Sequence, residues 1–144
     1  MGRCAEWIED ALGAVKASGN SEAIKVIESC GKGCAARKDA ENGILQLKAS
    51  ASSCRTMADY ADFLSKTMPV RIEEAEDGII LHLGKTSCSC PMAAELTKNT
   101  DILCECTKGH EKAVWSAFFG KPVEIEIVES FLRGGNDCVI KILV

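Results

Sequence analysis

The sequence predicts an α+β domain, with helices packed against an antiparallel sheet, and three observations predict it. Apolar residues recur at helical spacing as far as Pro69, and the period changes to alternation beyond it. No internal repeat, low-complexity tract or linker divides the 144 residues. Helices that precede antiparallel strands, rather than alternating with parallel ones, sort into the α+β layer architecture. The expected organisation is one domain over residues 1–144, with a helical part at 1–69 and a mixed part at 70–144.

Ile8, Ala11, Leu12 and Val15 mark one face of a first helix, which Gly19-Asn20-Ser21 breaks. Ser21 is the expected cap of a second helix that buries Ile24 and Ile27 and ends near Cys30-Gly31. From Cys34 a third stretch carries Ala40, Ile44, Leu47 and Ala51 on one face. Thr56 with Asp59 resembles a capping box ahead of Met57, Tyr60, Ala61 and Leu64, and Pro69 ends that helix. Val70 and Ile72, the turn Asp77-Gly78, and Ile79 to Leu83 then read as a β-hairpin. Ile102 to Cys106 is the expected site of a short strand, followed by a helix capped at Thr107 or Gly109. That helix buries Val114, Ala117 and Phe118; Gly120 stops it and Pro122 prevents its continuation. Val123, Ile125 and Ile127 alternate with Glu124 and Glu126, turn formers occupy 133–137, and Cys138, Ile140, Ile142 and Val144 share one face of a last strand.

Charge narrows the function. Lys plus Arg number 17 against 21 for Asp plus Glu, a formal charge of −4. That balance argues against a nucleic-acid binder, which meets phosphates with a basic surface, and against a polybasic membrane-surface module. No apolar run approaches the roughly 20 residues of a spanning helix. The opening Met1-Gly-Arg-Cys-Ala-Glu-Trp lacks a secretory signal, and position 6 is not the Ser or Thr of a myristoylation pattern. The expectation is a cytoplasmic protein without nucleic-acid or membrane partners.

Nine cysteines are the feature that composition does not explain. The count is odd and the chain is long enough to fold without staples, so metal or thiol chemistry in a reducing compartment is expected over a disulfide framework. Four of them form Cys88-Ser89-Cys90 and Cys104-Glu105-Cys106. In extended chain, residues i and i+2 project from one face, so each pair would aim both thiols the same way. Four converging thiols suit tetrahedral Zn²⁺, bound by deprotonated sulfur at about 2.3 Å; an iron–sulfur cluster ranks below zinc. The spacing departs from the usual zinc knuckle, which places two residues between its cysteines, and a redox dithiol or plain buried cysteine are the competing readings.

Cys30-Gly31-Lys32-Gly33-Cys34 reads as a loop that completes this site or holds a second one, with a glycine-rich helix end as the plain alternative. Cys4 and Cys54 look incidental, and Cys138 looks like core. His82, inside an apolar strand, reads as structural. His110, four residues after Cys106, is a candidate ligand or acid/base, though no third group to orient its imidazole can be named. The glycine-rich pieces match neither a phosphate loop nor a dinucleotide fingerprint.

Three runs carry a resemblance: Cys104 through Lys112, Phe118 through Gly135, and Cys138-Val-Ile-Lys-Ile. Together they resemble the 4-vinyl-reductase (hydrocarbon-binding) domain superfamily, which shares its fold with TRAPP transport subunits. Cys30-x-x-x-Cys34, Cys88-x-Cys90-Pro91 and Cys104-x-Cys106 look more closely like a cysteine-rich, uncharacterised prokaryotic branch of it, some of whose relatives carry an amino-thiazoline-carboxylate hydrolase-like label. The resemblance covers residues 70–144 and implies an α+β sandwich with a small-molecule pocket and a cysteine-built metal site. Cys106 and Cys138 match the superfamily's cysteine positions. The other cysteines depart from its general pattern, so a pigment-reduction substrate does not carry over.

Two function classes follow. The first is a zinc-binding domain that binds or senses a small, largely apolar molecule, with Cys88, Cys90, Cys104 and Cys106 as ligands and Cys30, Cys34 and His110 in the second rank. The second is a thiol- or zinc-dependent enzyme, a hydrolase or reductase, acting on a small molecule. The apolar helix stripes leave room for a homodimer.

Overall fold

Asn20, one residue ahead of the expected cap, opens the second helix by accepting the Glu22 N–H at 2.9 Å. The computed structural model describes residues 2–144. Its helices are α1 (Arg3–Ser18), α2 (Ser21–Arg37), α3 (Ala40–Ser50), α4 (Met57–Thr67), α5 (Pro91–Glu95) and α6 (Leu103–Phe119). Its strands are β1 (Arg71–Ala75), β2 (Gly78–His82), β3 (Glu124–Glu129) and β4 (Val139–Leu143). The strands form one antiparallel sheet in the order β1-β2-β4-β3, so the fold is α+β as expected.

Several local signals act as their chemistry dictates. Thr56 Oγ1 accepts the Asp59 N–H at 3.1 Å while Asp59 Oδ2 accepts the Thr56 N–H at 2.9 Å, a complete capping box for α4. Gly120, at φ 69°, ends α6 in the left-handed conformation that a side chain would strain. Ala75 faces Gly78 across the hairpin turn, and that register sends Ile72, Leu81, Ile140 and Ile127 across the sheet in one row. On the same side Ile79, Ile142 and Ile125 form a second row. Trp115, Phe118 and Leu64 are each 1% exposed or less in the core that these rows join. The rings of Tyr60 and Trp115 both meet Phe118 edge-on, at 5.7 and 5.4 Å between centroids.

Two expectations fail, for related reasons. The second helix does not end at Cys30-Gly31; α2 continues through both glycines to Arg37. A helical glycine costs about 1 kcal/mol relative to alanine, and Gly31 returns this through packing on α6. A Cβ there would fall within bonding range of the Cys106 carbonyl oxygen, and one at Gly109 would meet the Glu28 carbonyl in the same way. The expected strand at Ile102–Cys106 is instead a 3₁₀ turn (Thr100–Ile102) running into α6, with Thr107 and Gly109 inside the helix. A short apolar run fits either period, and burial of Ile102 and Leu103 against Leu12 and Leu96 decides for the helix.

Glu9 was not singled out by the sequence and is 3% exposed. Its Oε1 accepts the Thr97 N–H, the Thr97 hydroxyl at 3.0 Å and the Lys98 N–H at 2.9 Å, tying α1 to the segment before α6. The Thr97 N–H, ahead of the other donors, holds this carboxyl below its ordinary range. His82 is structural as expected, with Nε2 2.6 Å from Glu73 Oε2.

Gly31→Ala and Gly109→Ala should each lower the unfolding free energy by about 1–3 kcal/mol or more in urea titrations, as overpacking does. Gly43→Ala, on a helix surface with open space at its Cβ, should raise it by about 0.5–1 kcal/mol. Because the Glu9 pKa is depressed by folding, its stabilisation is present above the unfolded carboxylate pKa of about 4.3 and lost as pH falls through the folded value. Glu9→Gln should therefore lower Tm at pH 7 and flatten the acid limb of a Tm-against-pH curve.

Candidate thiol site at the crossing of α2 and α6

Cys30 and Cys34 are four residues apart on a continuous helix, so they share a face of α2. Gly31, between them, rests on α6 against the Cys106 carbonyl and the His110 amide. The glycine contact thus brings the two α2 thiols to Cys106. Cys90 joins them from the segment after β2, where it caps α5 and its carbonyl accepts the Ala93 N–H at 3.1 Å. Burial, and then the thiols of Cys34, Cys90 and Cys30, push the Cys106 thiol up to about 11, with the Arg37 guanidinium pulling the other way. Packed thiolates repel and lose hydration, so without a cation the proton stays on.

The helix separates Cys104 from Cys106. At about 100° per residue, positions i and i+2 point roughly 200° apart, so the expected one-sided pair does not form. Cys104 faces inward, buried, and its Sγ donates to Ser130 Oγ at 3.2 Å. Burial pushes this thiol up as well, with the Ser130 hydroxyl and the Arg133 charge opposing, and Cys138 and Cys88 adding to the rise. Cys88 is pushed up by burial, against the Cys90 N–H donated to its sulfur, with Cys90 and Cys138 close enough to add. Cys30, Cys34, Cys90 and Cys106 therefore make one group, and Cys88, Cys104 and Cys138 another, bridged by Cys88-Ser89-Cys90. Cys138, expected in the core, is half-buried beside the second group. Cys54, expected to be incidental, is buried in the main core and directs its thiol to the Asp59 carbonyl at 3.6 Å, while Cys4 is exposed.

His110 follows Cys106 by one helical turn. Its Nδ1 is 3.2 Å from Glu111 Oε1, and Glu111 Oε2 accepts the Trp115 indole N–H at 2.9 Å. Glu111 is the orienting group that sequence reasoning missed; its i, i+4 spacing to Trp115 on a helix was the available signal. As the side chains stand, no three His, Cys, Asp or Glu residues among those described converge to hold a metal ion.

The interface between helices and sheet is filled by Trp115, Phe118, Leu64 and Ile142, which occupy the place expected for an apolar ligand pocket. A polar groove of 920 Å³ runs beside the α2–α6 crossing, lined by Lys25, Lys32, Lys108, Lys112, Glu28 and Ser29 among others. Among the described residues no helix is long and apolar enough to cross a membrane.

A family model described as "Family of unknown function (DUF6144)" matches residues 2–144. The chain belongs to this family. No curated protein matches it. Among solved structures, trafficking protein particle complex subunit 3 from Naegleria fowleri, covalently bound to palmitic acid, is similar with a TM-score of 0.43 and 14% identity, over 96% of this chain and 93% of that one.

Iodoacetamide labelling read by peptide mass spectrometry should modify exposed Cys4 and Cys30 first and buried Cys54 and Cys104 last. The labelling rate of Cys106 should keep rising with pH toward about 11, because only the thiolate reacts.

Proposed function

We propose that this domain holds a soft metal ion, Zn²⁺, through thiolates gathered at the α2–α6 crossing, and that it binds or senses a small molecule there. One observation supports the reading: α2, α6 and the segment before α5 bring three further thiols near Cys106, and burial together with these thiols pushes the Cys106 thiol up to about 11 against the opposing pull of Arg37. A divalent ion reverses that penalty, since zinc takes deprotonated sulfur and releases the proton. The thiols must turn to close on the ion, which is the ordinary coupling of metal uptake to local order.

Cys34, Cys90 and Cys106 form the inner part of the centre, with exposed Cys30 at its rim. Cys88 and Cys104, first-rank candidates in the sequence, belong with Cys138 in the adjoining group. A binding domain is favoured over a thiol enzyme because a nucleophilic cysteine needs a lowered pKa, whereas Cys88, Cys104 and Cys106 are all raised. The resemblance of residues 70–144 to the 4-vinyl-reductase superfamily supports a small-molecule ligand. The polar groove beside the crossing favours a polar or charged molecule over the apolar one expected from the sequence.

Protein purified without added metal and titrated with Zn²⁺ against a chromophoric chelator tests the proposal. One ion per chain should bind, with proton release and with an affinity that climbs as pH rises, and both Cys34→Ser and Cys106→Ser should lose it while Cys4→Ser keeps it. A wild-type chain that takes up no zinc and leaves all nine thiols free would sink the reading. A visible sulfur-to-iron absorbance in anaerobically purified protein would replace zinc by an iron–sulfur cluster.

A further inference from the structure

We infer that the end of the sheet where β1 and β2 meet the turn before β4 is a second ligand site, which takes a free α-amino acid with an apolar side chain. Arg71 receives its carboxylate, Asp137 its ammonium group, and Met68, Val70 and Leu83 its side chain. The site shares no residue with the groove beside the α2–α6 crossing and does not rest on the metal centre proposed there.

A cleft of 500 Å³ opens at this end of the sheet, a size that suits a small molecule. Arg71 faces His82 in the sheet register, and His82 faces Val139. The Leu83 N–H donates to the Cys138 carbonyl at 3.0 Å and carries the β2–β4 pairing one residue further. Arg71 and Asp137 therefore flank the end of β2 from opposite sides, on chains two strand spacings or about 10 Å apart. Gly84 lies in the cleft with them, and a Cβ on it would meet nothing within 4 Å, so no side chain fills the gap. Its φ of 62° is the left-handed conformation that favours glycine. Met68, Val70 and Leu83, half-buried against the main core, give the cleft an apolar wall.

The polar groups around the cleft leave two opposite charges to be met. Asp137 Oδ1 accepts the Lys85 N–H at 3.3 Å and the Cys138 N–H at 2.7 Å, which fixes the carboxylate. Among the described residues its Oδ2 accepts no hydrogen bond and its charge has no ion-pair partner. Arg71 Nη1 donates to Glu73 Oε1 at 2.8 Å, and the rest of its five-donor fork stays available. The Arg71–Glu73 pair is solvent-exposed on both sides and so contributes little, which leaves the guanidinium open to a second carboxylate. A simple carboxylic acid would be repelled by Asp137, and a simple amine by Arg71. A head group with both charges on neighbouring atoms satisfies each, and a carboxylate matches the planar guanidinium fork. The apolar wall then selects a hydrocarbon side chain over a polar one.

The test is calorimetric titration of the metal-free full chain with L-leucine, with ¹⁵N amide shifts to locate the bound molecule and circular dichroism to check the fold of each variant. One leucine per chain should bind, and the shifts should centre on residues 68–71, 82–85 and 137–138. Three probes each lack one recognised feature: 4-methylpentanoate the ammonium group, isopentylamine the carboxylate and glycine the side chain. Each should bind about tenfold more weakly or worse. Asp137→Asn keeps the Oδ1 acceptor for the Lys85 and Cys138 N–H groups while removing the charge, and Arg71→Gln changes an exposed residue on an edge strand. Both should weaken leucine binding by about tenfold or more in a folded chain. Gly84→Asn, tolerated in the left-handed conformation, puts a side chain into the cleft and should abolish binding. No leucine binding, equal binding of 4-methylpentanoate, indifference to both Asp137→Asn and Arg71→Gln, or shifts that fall on α2 and α6 instead would overturn the inference. None of these results bears on the thiolate centre, which stands or falls on zinc uptake.

Discussion

The approach of α2 to α6 through Gly31 and Gly109 is the constraint on which the site depends. Each glycine lies where a Cβ would run into the backbone of the facing helix, so the two axes come closer than side chains elsewhere permit. That proximity lets thiols from α2 reach those of α6, because a cysteine side chain extends only one atom beyond its Cβ. With larger residues at the crossing, Cys30 and Cys34 would stand away from Cys106, and only burial and Cys90 would hold its proton. The same contact accounts for the continuity of α2, since a helix that gains packing along its length tolerates glycines that would end a solvent-exposed one.

The second support is the core beneath α6. Trp115 serves two environments: its ring packs with Phe118 among the sheet residues, and its N–H holds the Glu111 carboxylate that faces His110. The packed core therefore fixes a polar group at the edge of the thiol site without a buried donor or acceptor left unpaired. At the other end of α6, Glu9 gathers the donors of Thr97 and Lys98 and so fixes the start of the segment that leads into the helix. Between these anchors α6 has little freedom to turn, and the opposed directions of Cys104 and Cys106 follow. One faces Ser130 and the other faces α2.

Much of the fold was legible because its signals are local. The Thr56–Asp59 box, the Gly120 stop, the Asp77-Gly78 turn and the alternation in β3 and β4 each involve residues within a few positions of one another. The candidate site was legible in its residue types and only partly in its arrangement. Cys30, Cys34 and Cys90 lie near enough to Cys106 to act on its thiol without converging on a common point, and Cys104 turns away from them, because the reading of 102–106 as extended chain assigned it the wrong periodicity. Five residues with apolar and polar positions mixed fit a strand or a helix equally well. What separates the two is the burial of Ile102 and Leu103 against Leu12 and Leu96, contacts of long range in sequence.

By itself the sequence determined the class of the fold, the position of its turns and caps, and the presence of an excess of thiols that no disulfide framework explains. Each of these is settled by periodicity, by backbone preference or by composition, all properties of short stretches of chain. Only the tertiary structure decided that the glycines between Cys30 and Cys34 are contact points and not a loop. It likewise divided seven cysteines into two groups and supplied His110 with a carboxylate partner held by the core. Those outcomes depend on which helix face meets which, and close packing between elements distant in the chain is the physical quantity that local pattern does not contain.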